Sequence, residues 1–396
     1  MKMLPQNVAL TLAGVCLAGS LGMAGELDIP LGKALFDRQW AQVAGGDGLG
    51  PLFNASGCSS CHKNGGPARF TNIDGVLGAV GLIVRLGDAQ GRPDPFYGRQ
   101  LQEGAAPGVP AEARIFPHLE AAGETGLMRM AARIDLNGRP LDQATRSEIR
   151  VAPSLLGRSL LERVPIGAVL ALSDPDDRDH DGISGRPRMI AGELGRFGLK
   201  ATARSIHEQA ADAAFVDLGL SSPTRPEAHG DCTPLETACL QLASGRSAAE
   251  DGGEMSGENV SLISAYVASL NPPQQHRTAP PPVFMAAGCA QCHVPVLKAE
   301  NGEPLPVFSD LLLHDLGDGL AGGFGDDFAT ANEWRTAPLI DLDPRGGRRR
   351  YLHDGRAGSI AEAILWHGGE AQAAKDRFKA LPDADKEALI AFVSSL

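Results

Sequence analysis

Two short stretches of this sequence carry the same arrangement of reactive side chains, Cys58-Ser-Ser-Cys61-His62 and Cys289-Ala-Gln-Cys292-His293. In each, two thiols stand about one helical turn apart with an imidazole directly after them. That spacing suits covalent capture of a haem, one vinyl group per thiol, with the histidine beneath the iron as its axial ligand. A zinc site built from the four thiols fits poorly, because zinc ribbons set their cysteine pairs roughly 15 to 20 residues apart. Here the two motifs are separated by 231 residues. A redox pair of thioredoxin type calls for a βαβ context that is missing. Two covalently bound c-type haems are therefore expected. Of the other cysteines, Cys232 and Cys239 have no histidine after them, and in an oxidising compartment their default is a structural disulfide.

Each motif needs helices to hold it, and the sequence after each one repeats an ordered set of signals. Arg150-Val151-Ala152-Pro153 parallels Arg335-Thr336-Ala337-Pro338, and Ser205-Ile206-His207-Glu208 parallels Ser359-Ile360-Ala361-Glu362. The first copy closes with Leu262 to Leu270 and the second with Ala388 to Leu396, two runs with helical spacing of apolar residues. These signals predict a mainly α fold: two cytochrome c-like domains with loop-rich insertions, divided as residues 25–272 and 273–396. Aromatic content of 5% beside 49 glycines and 28 prolines points the same way, to loops and few long sheets.

The copies differ where an iron would need a second ligand. In the second, the run from Glu362 ends in His367, which makes His293 and His367 a ligand pair. The same offset from Glu208 in the first copy falls on Ala213, so that register leaves His62 as that iron's ligand and one coordination position open. An open iron is where peroxide or dioxygen binds, whereas a six-coordinate one favours electron transfer. The helix after Ile206 offers Asp217 and Gln209 as candidates to move and steer the proton that O–O cleavage requires. A solvated helix face is the equal alternative for these two, and His207 is a rival sixth ligand at the first haem. His314 and His353 are rival ligands at the second, with propionate binding by these two histidines and by Arg335 or Arg356 the favoured role. Asp177, Asp179 and Asp181 occupy positions 1, 3 and 5 of a calcium-type loop with Gly182 at 6. Position 12 is Arg188 in place of the bidentate Glu, so an acidic turn is as good a reading as a Ca2+ site.

The 396 residues carry 36 Lys and Arg against 48 Asp and Glu, a net charge of -12. That balance repels nucleic acid and anionic lipid and attracts a cationic redox partner. Residues 1–24 read as a cleaved secretory signal: an apolar run from Val8 to Met23, too short to span a bilayer, ends at the small-residue site Gly22-Met23-Ala24. A periplasmic location without stable membrane insertion is expected.

These residues together resemble the di-haem oxidoreductase family of peroxidase-like proteins, also called thiol oxidoreductases. The resemblance runs along nearly the whole chain after residue 24. It rests on Gly48 to Ala55, Asp94-Pro95-Phe96-Tyr97-Gly98 with Gln100-Leu101-Gln102, Asp181 to Arg186, Gly195-Arg196-Phe197-Gly198, Leu311 to Asp315, Glu333-Trp334-Arg335-Thr336 and Leu352-His353-Asp354-Gly355-Arg356. More distantly the plan is similar to bacterial di-haem cytochrome c peroxidases and to the enzyme that matures tryptophylquinone cofactors. In those relatives the position fourteen residues after the histidine of the His-Asp-Gly motif ligates the second haem, and here it is His367. The family usually has Trp after Phe-Gly, where this chain has Leu199, so an aromatic relay between haems does not carry over to that position. The resemblance implies reduction of hydrogen peroxide at the N-terminal haem with electrons from the C-terminal one, fed by a small redox protein. The alternatives are a di-haem electron carrier without turnover and a haem protein of iron uptake or sensing.

Overall fold

The computed structural model describes residues 27–396 apart from 42–47, 74–75, 124–125, 243–252, 274–278 and 346–347. The expected signal segment lies outside the described residues. The helices are α1 (Ile29–Asp37), α2 (Cys58–Cys61), α3 (Arg158–Glu162), α4 (Ile166–Leu170), α5 (Ile206–Leu218), α6 (Thr237–Leu240), α7 (Gly257–Ser269), α8 (Pro282–Ala286), α9 (Ile360–Trp366), α10 (Gln372–Ala380) and α11 (Asp383–Ser394). None of the described helices is long and apolar enough to cross a membrane.

The mainly α expectation fails. Helix accounts for 29% of the chain and strand for 20%, the strands being short and paired in small sheets, and no element among those described marks either half as a cytochrome c domain. Most of the missed strand lies between residues 69 and 151. There β1 (Arg69–Ile73) pairs with β2 (Val76–Val80), β3 (Leu82–Gly87) with β6 (Arg146–Val151), and β4 (Ala113–Ala121) with β5 (Met128–Leu136), all antiparallel. The long hairpin runs in register from Ala113 opposite Leu136 to Ala121 opposite Met128. Its first strand buries Ala113 and Ile115 and turns Arg114 and Phe116 outward, the period of two that a half-buried strand needs. Local alternation and cross-strand pairing decided this region, and overall aromatic content did not.

Two main cores flank that β region. In the first, α1 crosses α7 so closely that a Cβ on Gly32 would lie 2.1 Å from the Leu262 carbonyl oxygen. Phe36 and Tyr266 meet beside that crossing at 5.1 Å between ring centroids. This core also takes in residues beyond 273, namely Leu297, Leu305, Val307, Leu311 and Leu312. In the second, Phe284 of α8, Phe308 and Phe392 of α11 pack edge to face at 5.5 to 5.9 Å, and Ile360 of α9 joins them. A smaller strand (β7, Leu313–Asp315) pairs with β8 (Glu333–Arg335) and lies between the halves, because Arg186 bridges to Leu313 and the Arg335 N–H donates to the Leu199 carbonyl.

Candidate haem-binding sites

The first motif is a single helical turn. Cys58 and Cys61 begin and end α2, and the His62 N–H caps it by donating to the Cys58 carbonyl at 2.9 Å. The His62 ring lies 3.3 Å through Nδ1 from the Gly66 carbonyl. A carbonyl can only accept, so Nδ1 carries the proton and Nε2 keeps a lone pair. Burial lowers the ring's pKa to about 4, which holds it neutral at pH 7. Burial, with the charge of Asp217 added, pushes both thiols up to about 12. Reactive thiolates and zinc ligands need the opposite shift. The donor set therefore suits haem: two unionised thiols for covalent attachment and a neutral imidazole with Nε2 available.

The second motif repeats this chemistry. His293 Nδ1 lies 3.1 Å from the Phe308 carbonyl, and burial lowers its pKa to about 4. Phe308 sits at φ +48°, an uncommon conformation for a bulky residue, held by the aromatic packing around it. The ring of His367, which caps α9, donates Nδ1–H to the Ala363 carbonyl at 2.7 Å and is likewise kept neutral by burial. A charge on His367 would further depress His293, and among the described residues the ring hydrogen bond of each runs through Nδ1.

The helices that follow the two motifs start identically. Ser205 caps α5 by accepting the Glu208 N–H, and Ser359 caps α9 by accepting the Glu362 N–H, both at 3.1 Å. In turn the Glu208 carboxylate accepts from the Arg204 N–H and that of Glu362 from the Gly358 N–H, each at 2.8 Å. The two helix starts match, and in both the glutamate reaches one residue further back than a capping box requires, to the N–H that precedes the cap serine. Counted from the two serines, His367 stands at the place where α5 has Ala213. One turn beyond Ala213, Asp217 accepts from Gln100 Nε2 at 2.7 Å, and burial raises its pKa above the ordinary carboxylate value. Gln209 lies two turns earlier, about 12 Å along the axis, against Gly198. His207 is half-buried on the same helix, off the Gln209 to Asp217 stripe.

Arg335 is 8% exposed and donates to the Gly198 and Thr336 carbonyls. Arg158 of α3, a residue that no motif marks, donates to the Ser154 carbonyl at 2.7 Å. Burial lowers both guanidiniums, to about 9 for Arg158 and about 10 for Arg335, and Arg335 adds repulsion at Arg158. Two neighbouring cations without an ion pair among the described residues suit the carboxylates of a haem. Arg356 instead pairs with Asp354 at 2.8 Å and lies over the Trp366 ring at 4.5 Å. His353 stacks on Trp334 with centroids 4.0 Å apart and planes 14° apart, and burial lowers its pKa well below the ordinary value. His314 has Asp310 on Nε2 at 2.9 Å and Glu370 on Nδ1 at 2.6 Å. Burial opposes its charge, but the hydrogen bonds to Asp310, Cys292 and Glu370 prevail and raise its pKa to about 12. As an imidazolium with both nitrogens engaged, it has no lone pair for iron. Cys232 and Cys239 form a disulfide.

Each of two stations combines a Cys-x-x-Cys-His turn with a neutral, backbone-tethered imidazole, a donor set that suits a haem. Residues 128–396 match the family model described as "Di-haem oxidoreductase, putative peroxidase", and the chain belongs to that family. The matched stretch includes the second motif, α5 and α9, and begins after the first motif. No curated protein matches the chain. Haem as cofactor and oxidoreductase as class follow from the family.

Proposed function

We propose that this protein is a periplasmic di-haem c-type peroxidase that reduces hydrogen peroxide at the His62 haem, with electrons from a six-coordinate haem between His293 and His367. The observation that supports this reading is the pair of matched helix starts at Ser205 and Ser359, counted from which His367 corresponds to Ala213. When bound, haem supplies the electron transfer and the centre at which the O–O bond is reduced. The chain supplies the rest. Cys58, Cys61, Cys289 and Cys292 would attach the two groups, and His62, His293 and His367 would present Nε2. Arg158 and Arg335 would hold carboxylates. Asp217, buried and hydrogen-bonded by Gln100, would hold and release a proton at its carboxyl oxygen.

The expected physiological electron donor is a small redox protein of complementary charge. Residues 25–272 and 273–396 remain the proposed functional halves. A calcium ion, if the protein uses one, belongs at Asp177, Asp179 and Asp181, whose oxygens lie within 4.8 Å of one another. Arg188 takes no part, since it pairs with Asp326 at 2.6 Å.

Spectra of the ferric holoprotein test the reading. One high-spin and one low-spin haem are expected, and His367→Ala should convert the low-spin haem to high spin. Two low-spin haems in every redox state, with no change on adding peroxide, would overturn it.

A further inference from the structure

Reducing one peroxide to two waters takes up two protons with two electrons, and Asp217 is enclosed at the end of α5. Its surroundings are polar to an extent that a core seldom tolerates. The segment from Arg99 to Gln102 runs along β3, with Gln100 opposite Arg85, and strand alternation turns Gln100 and Gln102 to the same side. Gln100 donates to Asp217 at 2.7 Å, and Gln102 donates to the Val216 carbonyl at 2.8 Å. The two side chains are 0% and 1% exposed, and the Oε1 of each is buried without a hydrogen bond among the described residues. A buried amide oxygen left without a donor costs about 1–3 kcal/mol, and water is the donor small enough to reach it.

Glu112 comes next. It is 3% exposed, accepts the Gln102 N–H at 2.6 Å, and its carboxyl is hydrogen-bonded to that of Glu236. Two carboxyls in hydrogen-bond contact share a proton. Burial, reinforced by the charge of Glu236, pushes Glu112 up to about 10, so the proton stays at neutral pH. Glu236 is half-buried, accepts the Thr233 N–H at 2.8 Å, and stands between exposed Leu235 and Thr237 in the loop that the Cys232–Cys239 disulfide closes. Asp231, raised by burial to about 6 and hydrogen-bonded to the Arg99 N–H, faces the same cluster.

We propose that Glu236 and Glu112 are a shared-proton carboxyl pair that carries protons from the surface, past the amide oxygens of Gln102 and Gln100, to Asp217. The destination rests on the peroxidase reading; the existence of the pair does not. Each turnover draws two protons inward, one for each electron from a one-electron donor protein. Glu236 recovers its proton from bulk water, the O–O bond breaks and two waters leave.

Infrared spectra of the holoprotein in H2O and D2O test the pair directly. The wild type should show a protonated-carboxyl C=O band that shifts in D2O and is absent in Glu112→Gln. In turnover, Glu236→Gln should slow peroxide consumption about tenfold, short of the roughly 10²–10⁴-fold for a group acting directly. It should also enlarge the solvent isotope effect, and Glu236→Asp should restore both, neither of which a purely structural role would produce. Absence of the band in the wild type, or full turnover with an unchanged isotope effect in Glu236→Gln, would overturn the proposal. Should Glu112→Gln fail to fold, the wild-type band and the surface-loop Glu236 variants decide alone. A wild type that has the band and consumes no peroxide overturns the peroxidase reading and leaves the pair standing.

Discussion

Replacing His314 by glutamine takes a buried cation from between two carboxylates while leaving a side chain that still hydrogen-bonds. In the native protein His314 and Asp310 are 3% and 2% exposed and the Glu370 side chain 11%, so neither acid reaches bulk water to recover its solvation. Asp310 also accepts the Leu312 N–H, and its own N–H donates to the Cys292 carbonyl, which ties the triad to the second haem motif. Removing one member of a buried ion pair costs about 3–5 kcal/mol. The amide retains part of the hydrogen bonding, which places His314→Gln near the lower end. At about 2–4 °C per kcal/mol, the melting temperature should fall by roughly 5 °C or more. Thermal unfolding of the holoprotein followed by circular dichroism measures this. The spin state of both haems should be unchanged in the folded variant, since His314 offers no lone pair to iron. A melting temperature within about 1 °C of wild type, or a low-spin to high-spin conversion, would refute the reasoning.

Gly32→Ala sets two effects against each other. Alanine favours an exposed helix interior over glycine by about 1 kcal/mol, but here its Cβ would meet the Leu262 backbone oxygen at 2.1 Å. Backbone yields little and overpacking costs about 1–3 kcal/mol, so denaturant unfolding should show a net loss; a more stable variant would show that α1 and α7 can separate freely. The pH dependence has a definite sign. His314, raised to about 12, and Glu112, raised to about 10, keep protons in the folded state that the unfolded chain releases near 6.5 and 4.5. Stability should therefore fall as pH rises from about 7 to 9, by at most about 1.4 kcal/mol per pH unit for each group. Melting curves across that range check this, and Glu112→Gln should flatten the slope. On the acid side Glu370 and Glu333, both held below 4.5, lose their contribution as pH falls through their folded pKa values.

What could be read from sequence is chemistry confined to neighbouring residues. The proposed attachment of haem needs two thiols and an imidazole within one turn, a pattern visible in Cys58, Cys61 and His62 and in Cys289, Cys292 and His293. Helix starts are equally local, because the serine at the cap and the glutamate three residues on satisfy N–H groups within a few residues of each other. Ser205 with Glu208 and Ser359 with Glu362 therefore set a register in which His367 and Ala213 can be compared before any fold is known. Whole-chain composition does not reveal the strand content, because a strand is set by local alternation such as that of Ala113 to Ala121.

Tertiary structure decided everything that joins distant segments. Arg158 feels the charge of Arg335 from far along the chain, Gln100 reaches Asp217 across more than a hundred residues, and Glu112 finds Glu236 through a disulfide loop. It also decided protonation. Burial keeps His62 and His293 neutral, and flanking carboxylates make His314 a cation. A pKa depends on solvent exclusion and on charges that the fold brings near, and neither is a property of adjacent residues.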